Sequence, residues 1–175
     1  MPRLPAASHS SRTAIPSFSL YGDAAAPAAD MLHIESIQSR SRLHQWEIHT
    51  HRHQGLHQVL WLRSGPASVS LDGLRQDTTG PLVVAIPPGA VHGFRFAPDS
   101  DGQVLTLSPR AVLEGDMAAA GDALRTLFAQ PRLMPVPGAE LVRIGGLFDA
   151  LAAEFNAPGS AGSPVPLWLA RAVLW

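Results

Sequence analysis

His49-Thr50-His51-Arg52-His53-Gln54-Gly55-Leu56-His57-Gln58-Val59-Leu60-Trp61-Leu62 carries four of the chain's eight histidines, directly ahead of an unbroken apolar run. In an extended strand alternate side chains share a face, so His49, His51 and His53 are expected on one side. Imidazole is the commonest biological metal ligand, and His-x-His on one strand forms a natural pincer. A fifth histidine, His92, ends Pro87-Pro88-Gly89-Ala90-Val91-His92, at the start of a later strand.

Outward from these stretches, residues 31–108 read as short apolar runs separated by turn signals at close, regular spacing. Strands are expected near 31–38, 43–50, 57–63, 67–71, 74–78, 82–86, 91–96 and 103–107. Asp72-Gly73 between two alternating runs signals a type I′ hairpin, whose two central residues both need positive φ. Gly65-Pro66, Gly80-Pro81 and Pro87-Pro88-Gly89 mark further corners. Strands so spaced, with no helix between them, argue for an all-β barrel or sandwich.

Residues 1–14 are rich in Ser, Ala and Pro and read as a flexible tail. Residues 15–22 carry Ile15, Phe18, Leu20 and Tyr21 and read as an apolar arm, tethered through an Ala/Pro linker at 23–29. Past Pro109 the pattern turns helical, with helices expected at 116–128, 139–156 and from 167 to 175. Leu141, Ile144, Phe148, Leu151 and Phe155 recur at 3-4-3-4 spacing and lay one apolar seam along a helix, with Leu147 on its flank. The helix running into Trp175 has no glycine cap, basic last turn or polar tail, so the natural chain is expected to continue.

Composition narrows the classes. A chain of 175 residues suits one domain, and 46% hydrophobic against 15% charged residues marks a burial-driven globular sequence. Net charge is −1, and the 13 basic residues are all Arg and scattered, so the phosphate-neutralising stripe of a DNA-binding surface is missing from the sequence. The lack of cysteine excludes disulfides and thiolate metal sites. Neither a signal-peptide core nor a run of the ~20 apolar residues that spans a membrane is present, so a cytoplasmic protein with no membrane partner is expected.

The two histidine stretches resemble the two motifs of the cupin superfamily. The first, His-x-His, then Glu, then Gly, reads here as His51, His53, Gln58 and Gly65; Gln58 stands where Glu is usual. The second reads as Gly80, Pro87, Gly89 and His92, with one extra residue after the glycine and Phe96 in place of the usual Asn. Residues 15–175 as a whole resemble the N-terminal, ligand-sensing half of AraC-type transcription regulators, most of all the branch that senses aromatic acids such as 4-hydroxybenzoate. The carrying stretches are 15–22, 51–62, Leu71-Asp72-Gly73 and 86–94. This resemblance implies a mainly β chain with C-terminal helices: a cupin-type (jelly-roll) barrel over 31–108, then a helical dimerisation segment over 109–175. It further implies an arm that folds over the effector, and DNA contact through a separate helix-turn-helix domain absent from this chain.

Two readings of the histidines stay open. Enzymatic cupins typically hold a divalent metal through three His and one carboxylate; Gln58 is a poor ligand, but His57 also fits the spacing after His53. His51, His53, His57 and His92 are therefore the candidate set for Zn, Ni, Fe or Mn. Alternatively, the imidazoles only hydrogen-bond within a polar pocket. For a small-molecule effector such as an aromatic acid, the candidate ligand-binding residues are Trp46, His51, His53, Trp61, His92 and Phe94, with Arg42, Arg52, Arg63 and Arg95 as further partners for a carboxylate. Alternation from His92 puts Phe94 and Phe96 inward and Arg95 outward. Leu141, Ile144, Phe148 and Leu151 are the candidate homodimer seam, shared with packing on the barrel. The functions in competition are an effector-binding regulator domain with no catalytic residues, a metal-dependent cupin dioxygenase or isomerase, and a structural cupin.

Overall fold

The computed structural model describes residues 15–18, 32–113, 118–160 and 162–175. The expected tail, the linker, arm residues 19–22 and the start of the helix expected at 116 lie outside that range. The elements run β1 (Ser17–Phe18), β2 (Leu32–Ser36), α1 (Ile37–Arg42), β3 (Glu47–His53), β4 (His57–Ser64), β5 (Pro66–Leu71), β6 (Leu74–Thr79), β7 (Leu82–Ile86), β8 (His92–Phe96), β9 (Asp101–Leu107), α2 (Pro109–Leu113), α3 (Ala118–Leu127) and β10 (Arg132–Pro135). A 3-10 turn (Gly138–Glu140), α4 (Leu141–Phe155) and α5 (Val165–Leu174) follow. The strands form two five-stranded sheets, ordered β1-β3-β8-β5-β6 and β10-β7-β4-β9-β2. All pairings are antiparallel except β1 on β3. Two β sheets with C-terminal helices are consistent with a cupin-type fold.

The second sheet is a middle layer. On its inner face Leu60, Leu62, Leu82, Val84, Ile86 and Val104 meet Ala67, Val69, Phe94 and Phe96 of the first sheet, with Ile37 of α1 closing one end. On its outer face Ile34, Val59, Trp61, Ala85, Leu105 and Leu107 meet Leu124, Phe128, Phe148, Leu151 and Ala170 of the helices. Burial on both sides is why Val59-Leu60-Trp61-Leu62 is an unbroken apolar run and not an alternating one. The first sheet has water on its outer face, where Arg95 pairs with Glu47 at 2.9 Å. Its edge strand β6 is almost wholly exposed and carries Arg75 and Asp77, charges that discourage further strand pairing. The β5–β6 turn has φ of 47° at Asp72 and 85° at Gly73, the pair of positive values that a type I′ turn requires.

Three elements differ from the sequence expectation. The strand expected through 38 stops at Ser36, whose hydroxyl accepts from the Ser39 N–H at 2.9 Å and caps α1. The strand expected from 43 starts at Glu47, because the Ser41 carbonyl takes the N–H groups of both His44 and Trp46 and turns the chain first. Strand β10, flanked and ended by prolines, extends the second sheet by pairing with β7; an edge position tolerates Pro135.

The helical seam also turns out differently. Phe148 and Leu151 are 1% and 0% exposed, and the Phe148 ring stacks on Trp61 with centroids 6.2 Å apart. Leu141 and Ile144 pack, half-buried, against the same cluster. Phe148 and Leu151 are thus closed off by the sheet, while Leu141 and Ile144 keep part of their surface exposed; the seam joins α4 to the second sheet. Arg63 of β4 reinforces the joint by pairing with Asp149 of α4 and with Asp101. Among the described residues of the helical layer, Val142 at 87%, Trp168 at 60% and Trp175 at 61% are large apolar side chains left exposed.

Truncating Phe148 therefore opens a cavity between sheet and helix. Phe148→Ala is expected to lower the unfolding free energy by about 3–5 kcal/mol, while Val142→Ala changes it by less than ~0.5 kcal/mol. Urea denaturation monitored by tryptophan fluorescence checks this, and equal effects at the two positions would contradict the packing.

Candidate functional site

Two backbone features bring the histidine stretches together. In the antiparallel β3–β8 pair His51 stands directly opposite His92, and directly opposed residues share a face. The Gly89 N–H, in a left-handed segment with φ of 82°, donates to the His53 carbonyl at 2.8 Å and pins the second stretch to the first. The β3–β8 register shifts between Ile48 and His51, which leaves His49 and Thr50 both exposed. That irregularity overrides simple alternation: His51 and His53 are buried, whereas His49 turns to solvent, away from them.

His51, His53 and His92 each offer a ring nitrogen, and these atoms all lie within 4.8 Å of one another. The ring centroids of His51 and His92 are 4.4 Å apart, those of His51 and His53 4.9 Å. His51 Nδ1 donates to its neighbour carbonyl at His49 at 2.7 Å, and His92 Nδ1 donates to the Ala90 carbonyl at 3.0 Å. Assigned from these partners, both Nε2 atoms carry lone pairs, and that of His92 is buried without a partner. His51 Nε2 sits 3.2 Å from His53 Nε2. Ligands at ~2.1 Å in a tetrahedral shell lie about 3.4 Å apart, so this spacing suits a shared cation. Backbone carbonyls on the second ring nitrogen are the usual orienting partners of metal-bound histidine. The triad could hold a metal ion.

Positions 57 and 58 are decided by β4 alternation. Gln58 faces inward, its amide nitrogen 3.1 Å from His53 Nε2 and 3.2 Å from Thr106 Oγ1, its cross-strand partner. His57 faces the other way and packs its ring on Phe128, with centroids 4.5 Å apart. It is therefore no member of the triad. Trp61 is likewise on the helix-facing side of β4 and lines no inner wall. Phe94 is inside, stacked on Phe96 and 5.9 Å from His92, and Arg95 is outside, as alternation expects. Trp46 packs, half-buried, against the inner cluster. Of the four arginines considered as carboxylate partners, Arg42 and Arg52 are exposed. Arg63 and Arg95 are engaged in ion pairs outside the sheet interior.

Two spaces adjoin the triad. An inner cavity of about 10 Å³ lies between the sheets, lined by Ile37, Arg40, Ser41, Ile48, His51, Gln58 and the Phe94–Phe96 pair among others; it has room for about one water molecule. A larger cleft of about 270 Å³ lies outside it, walled by Pro16 and Phe18 of the arm and by Arg40, His44, Ile48 and His51. The arm is held there by strand pairing, with Phe18 beside His53 in register and the Arg52 N–H donating to the Pro16 carbonyl at 3.1 Å. The Phe18 ring lies 5.7 Å from that of His51. Arg40 and Ser41 were missed from sequence because they sit on a short helix in what read as a connection between the strands expected at 31–38 and 43–50; the Ser36-x-x-Ser39 cap was the readable signal.

No family model matches the chain, and no curated protein matches it. Among the solved structures to which it is similar, an RmlC-like cupin from Shewanella frigidimarina is 27% identical over 36% of this chain and 55% of that one, with a TM-score of 0.32. A cupin protein from Bacteroides fragilis is 18% identical over 50% of this chain and 72% of that one, with a TM-score of 0.37. ToxT from Vibrio cholerae is 10% identical over 69% of this chain and 48% of that one, with a TM-score of 0.42. The matched region thus spans about half of the Shewanella cupin and of ToxT. Among the described residues, no helix is long and apolar enough to cross a membrane.

Burial holds the site uncharged. Desolvation pushes the His51 imidazole down to about 4, against a partly offsetting hydrogen bond to the His49 carbonyl. Desolvation, with the neighbouring His51 adding to it, pushes His92 down to about 3. His33, buried and near Arg40, is likewise lowered to about 4. An unfolded histidine titrates near 6.5, so between pH 6.5 and 4 the unfolded chain binds more protons than the native one, and stability rises with pH. The contribution of these imidazoles is complete above pH 6.5 and drains as pH falls towards 4, at roughly 1.4 kcal/mol per pH unit for each group. Chelator-treated protein is expected to follow this slope in urea denaturation from pH 7.5 to 4.5, and His92→Gln to flatten it. A wild-type stability that is level across the range would refute the assignment.

Proposed function

We propose that this chain is the effector-binding domain of an AraC-type transcription regulator, a cytoplasmic protein in which a small aromatic acid is held beside the His51/His53/His92 triad. The observation that carries the reading is the arm: β1 is laid along β3 so that Pro16 and Phe18 wall a cleft of about 270 Å³ that His51 also lines. A cleft near the lower end of the usual ligand range suits a single-ring compound, with apolar contacts from Phe18 and Ile48 and a few polar groups for orientation. A wall made by a two-strand-residue arm is easily reorganised, and a ligand that prefers the closed arrangement shifts the population towards it. In this reading the site binds and does not turn over its ligand. Subunits pair through the outward helical face that bears Val142 and Trp168, and DNA is contacted by a separate helix-turn-helix domain.

Binding only the native state raises stability by about 2.7 kcal/mol at a hundredfold excess over Kd. A thermal-shift screen over benzoates and related single-ring acids is expected to find a stabilising ligand whose effect is lost in His51→Ala. A screen in which no such acid moves the melting temperature would defeat the proposal.

A metal-dependent cupin is the second reading, favoured by one observation: the bare, buried His92 Nε2 facing the other two imidazoles. Zinc titrated into chelator-treated protein is expected to bind with 1:1 stoichiometry, to weaken by at least about tenfold in His92→Ala, and to be untouched in His57→Ala. Equal losses in both variants would rule out the triad as the metal centre.

A further inference from the structure

Arg40 and Ser41, in the last turn of α1, line the inner cavity together with His51. Arg40, Ile48 and His51 line both the inner cavity and the outer cleft, so they form the partition between the two. Of these, only the guanidinium carries a permanent charge. Ser41 is 1% exposed, lines the inner cavity, and its hydroxyl has no hydrogen-bond partner. A buried hydroxyl without a partner is costly and points to a group that completes it. Arg40 is held by Glu35 of β2, Nη1 to Oε1 at 2.6 Å, with both side chains about 15% exposed. A planar guanidinium presents five N–H donors in a fork that matches a carboxylate.

We infer that Arg40 and Ser41 form the anion-recognising end of the site and that Glu35 is a built-in competitor for the guanidinium. The inference rests on the cleft being the effector site. The ligand it selects is a small acid that straddles the partition: its apolar body lies against Phe18 and Ile48 in the outer cleft, and its carboxylate reaches Arg40 and the Ser41 hydroxyl. The outer cleft of about 270 Å³ has room for a ring, and the inner cavity of about 10 Å³ for about one water-sized atom, so a single carboxylate oxygen is what enters it. Glu35 keeps the guanidinium compensated while no acid is bound. It also raises the threshold for binding, because an incoming carboxylate has to share or displace it.

The test is isothermal titration at pH 7.5 with matched acid and amide pairs: benzoate with benzamide, 4-hydroxybenzoate with its amide, cinnamate with cinnamamide. Wild type is expected to favour at least one acid over its amide by about tenfold or more, the discrimination that charge-assisted hydrogen bonds supply. Arg40→Gln removes the preference, weakening the acid by far more than it weakens the amide. Arg40→Lys, which keeps the charge without the fork, retains part of it, Ser41→Ala weakens the acid several-fold, and Glu35→Gln tightens it. Should Arg40→Gln fail to give a cooperative unfolding transition, Arg40→Lys and Glu35→Gln decide the matter. Amides binding wild type as well as acids do, or an acid preference that survives in Arg40→Gln, would overturn the inference while leaving the cleft reading intact provided His51→Ala still abolishes binding. If no pair member binds wild type, the cleft reading falls and this inference with it.

Discussion

The burial of one sheet on both of its faces is the constraint on which the rest depends. Because the second sheet is sandwiched between the first sheet and the helices, the β4 residues from His57 to Leu62 are each committed to one of two interiors. Even positions join the inner space, where Gln58 reaches His53 and Thr106; odd positions join the helical side, where His57 meets Phe128 and Trp61 meets Phe148. A strand with one wet face would have let His57 or Trp61 occupy a surface at little cost. Here a one-residue slip would exchange both sets at once, burying Trp61 among side chains packed for Leu60.

That dryness also sets the chemistry of the triad. Imidazoles shielded from water stay neutral, and their Nδ1 protons are fixed by the backbone carbonyls of His49 and Ala90. What remains is a set of converging lone pairs, good for a cation and poor for an anion. Arg40, which lines the same cavity, supplies the opposite character. The site thus has a lone-pair side made from strands and a cationic side made from a single short helix.

The barrel strands from 57 to 107 were legible because their signals are local: alternation, Asp72-Gly73, and glycine-proline corners. So was the pairing of the two histidine stretches, since two turn-bounded motifs with matched chemistry rarely converge by accident. What escaped depended on context that a lone sequence lacks. His49 misled because the irregularity in β3 is fixed by pairing with β8, not by its own residues. The 141–155 seam has the same 3-4 spacing whether it meets a sheet or another subunit, and only the placement of Trp61 decides for the sheet. Arg40 escaped because Ile37–Arg42 is a helix of barely more than one turn, too short for periodicity to show.

The hydrogen bond from Gly89 to the His53 carbonyl, together with the His51–His92 pairing, joins segments some forty residues apart in sequence. Neither histidine stretch holds half of a working pocket by itself, because the lone pairs face one another only after β8 has docked on β3. Such long-range closure is slow relative to local structure formation. During synthesis, then, the convergence of the three imidazoles is expected as one late event and not by degrees.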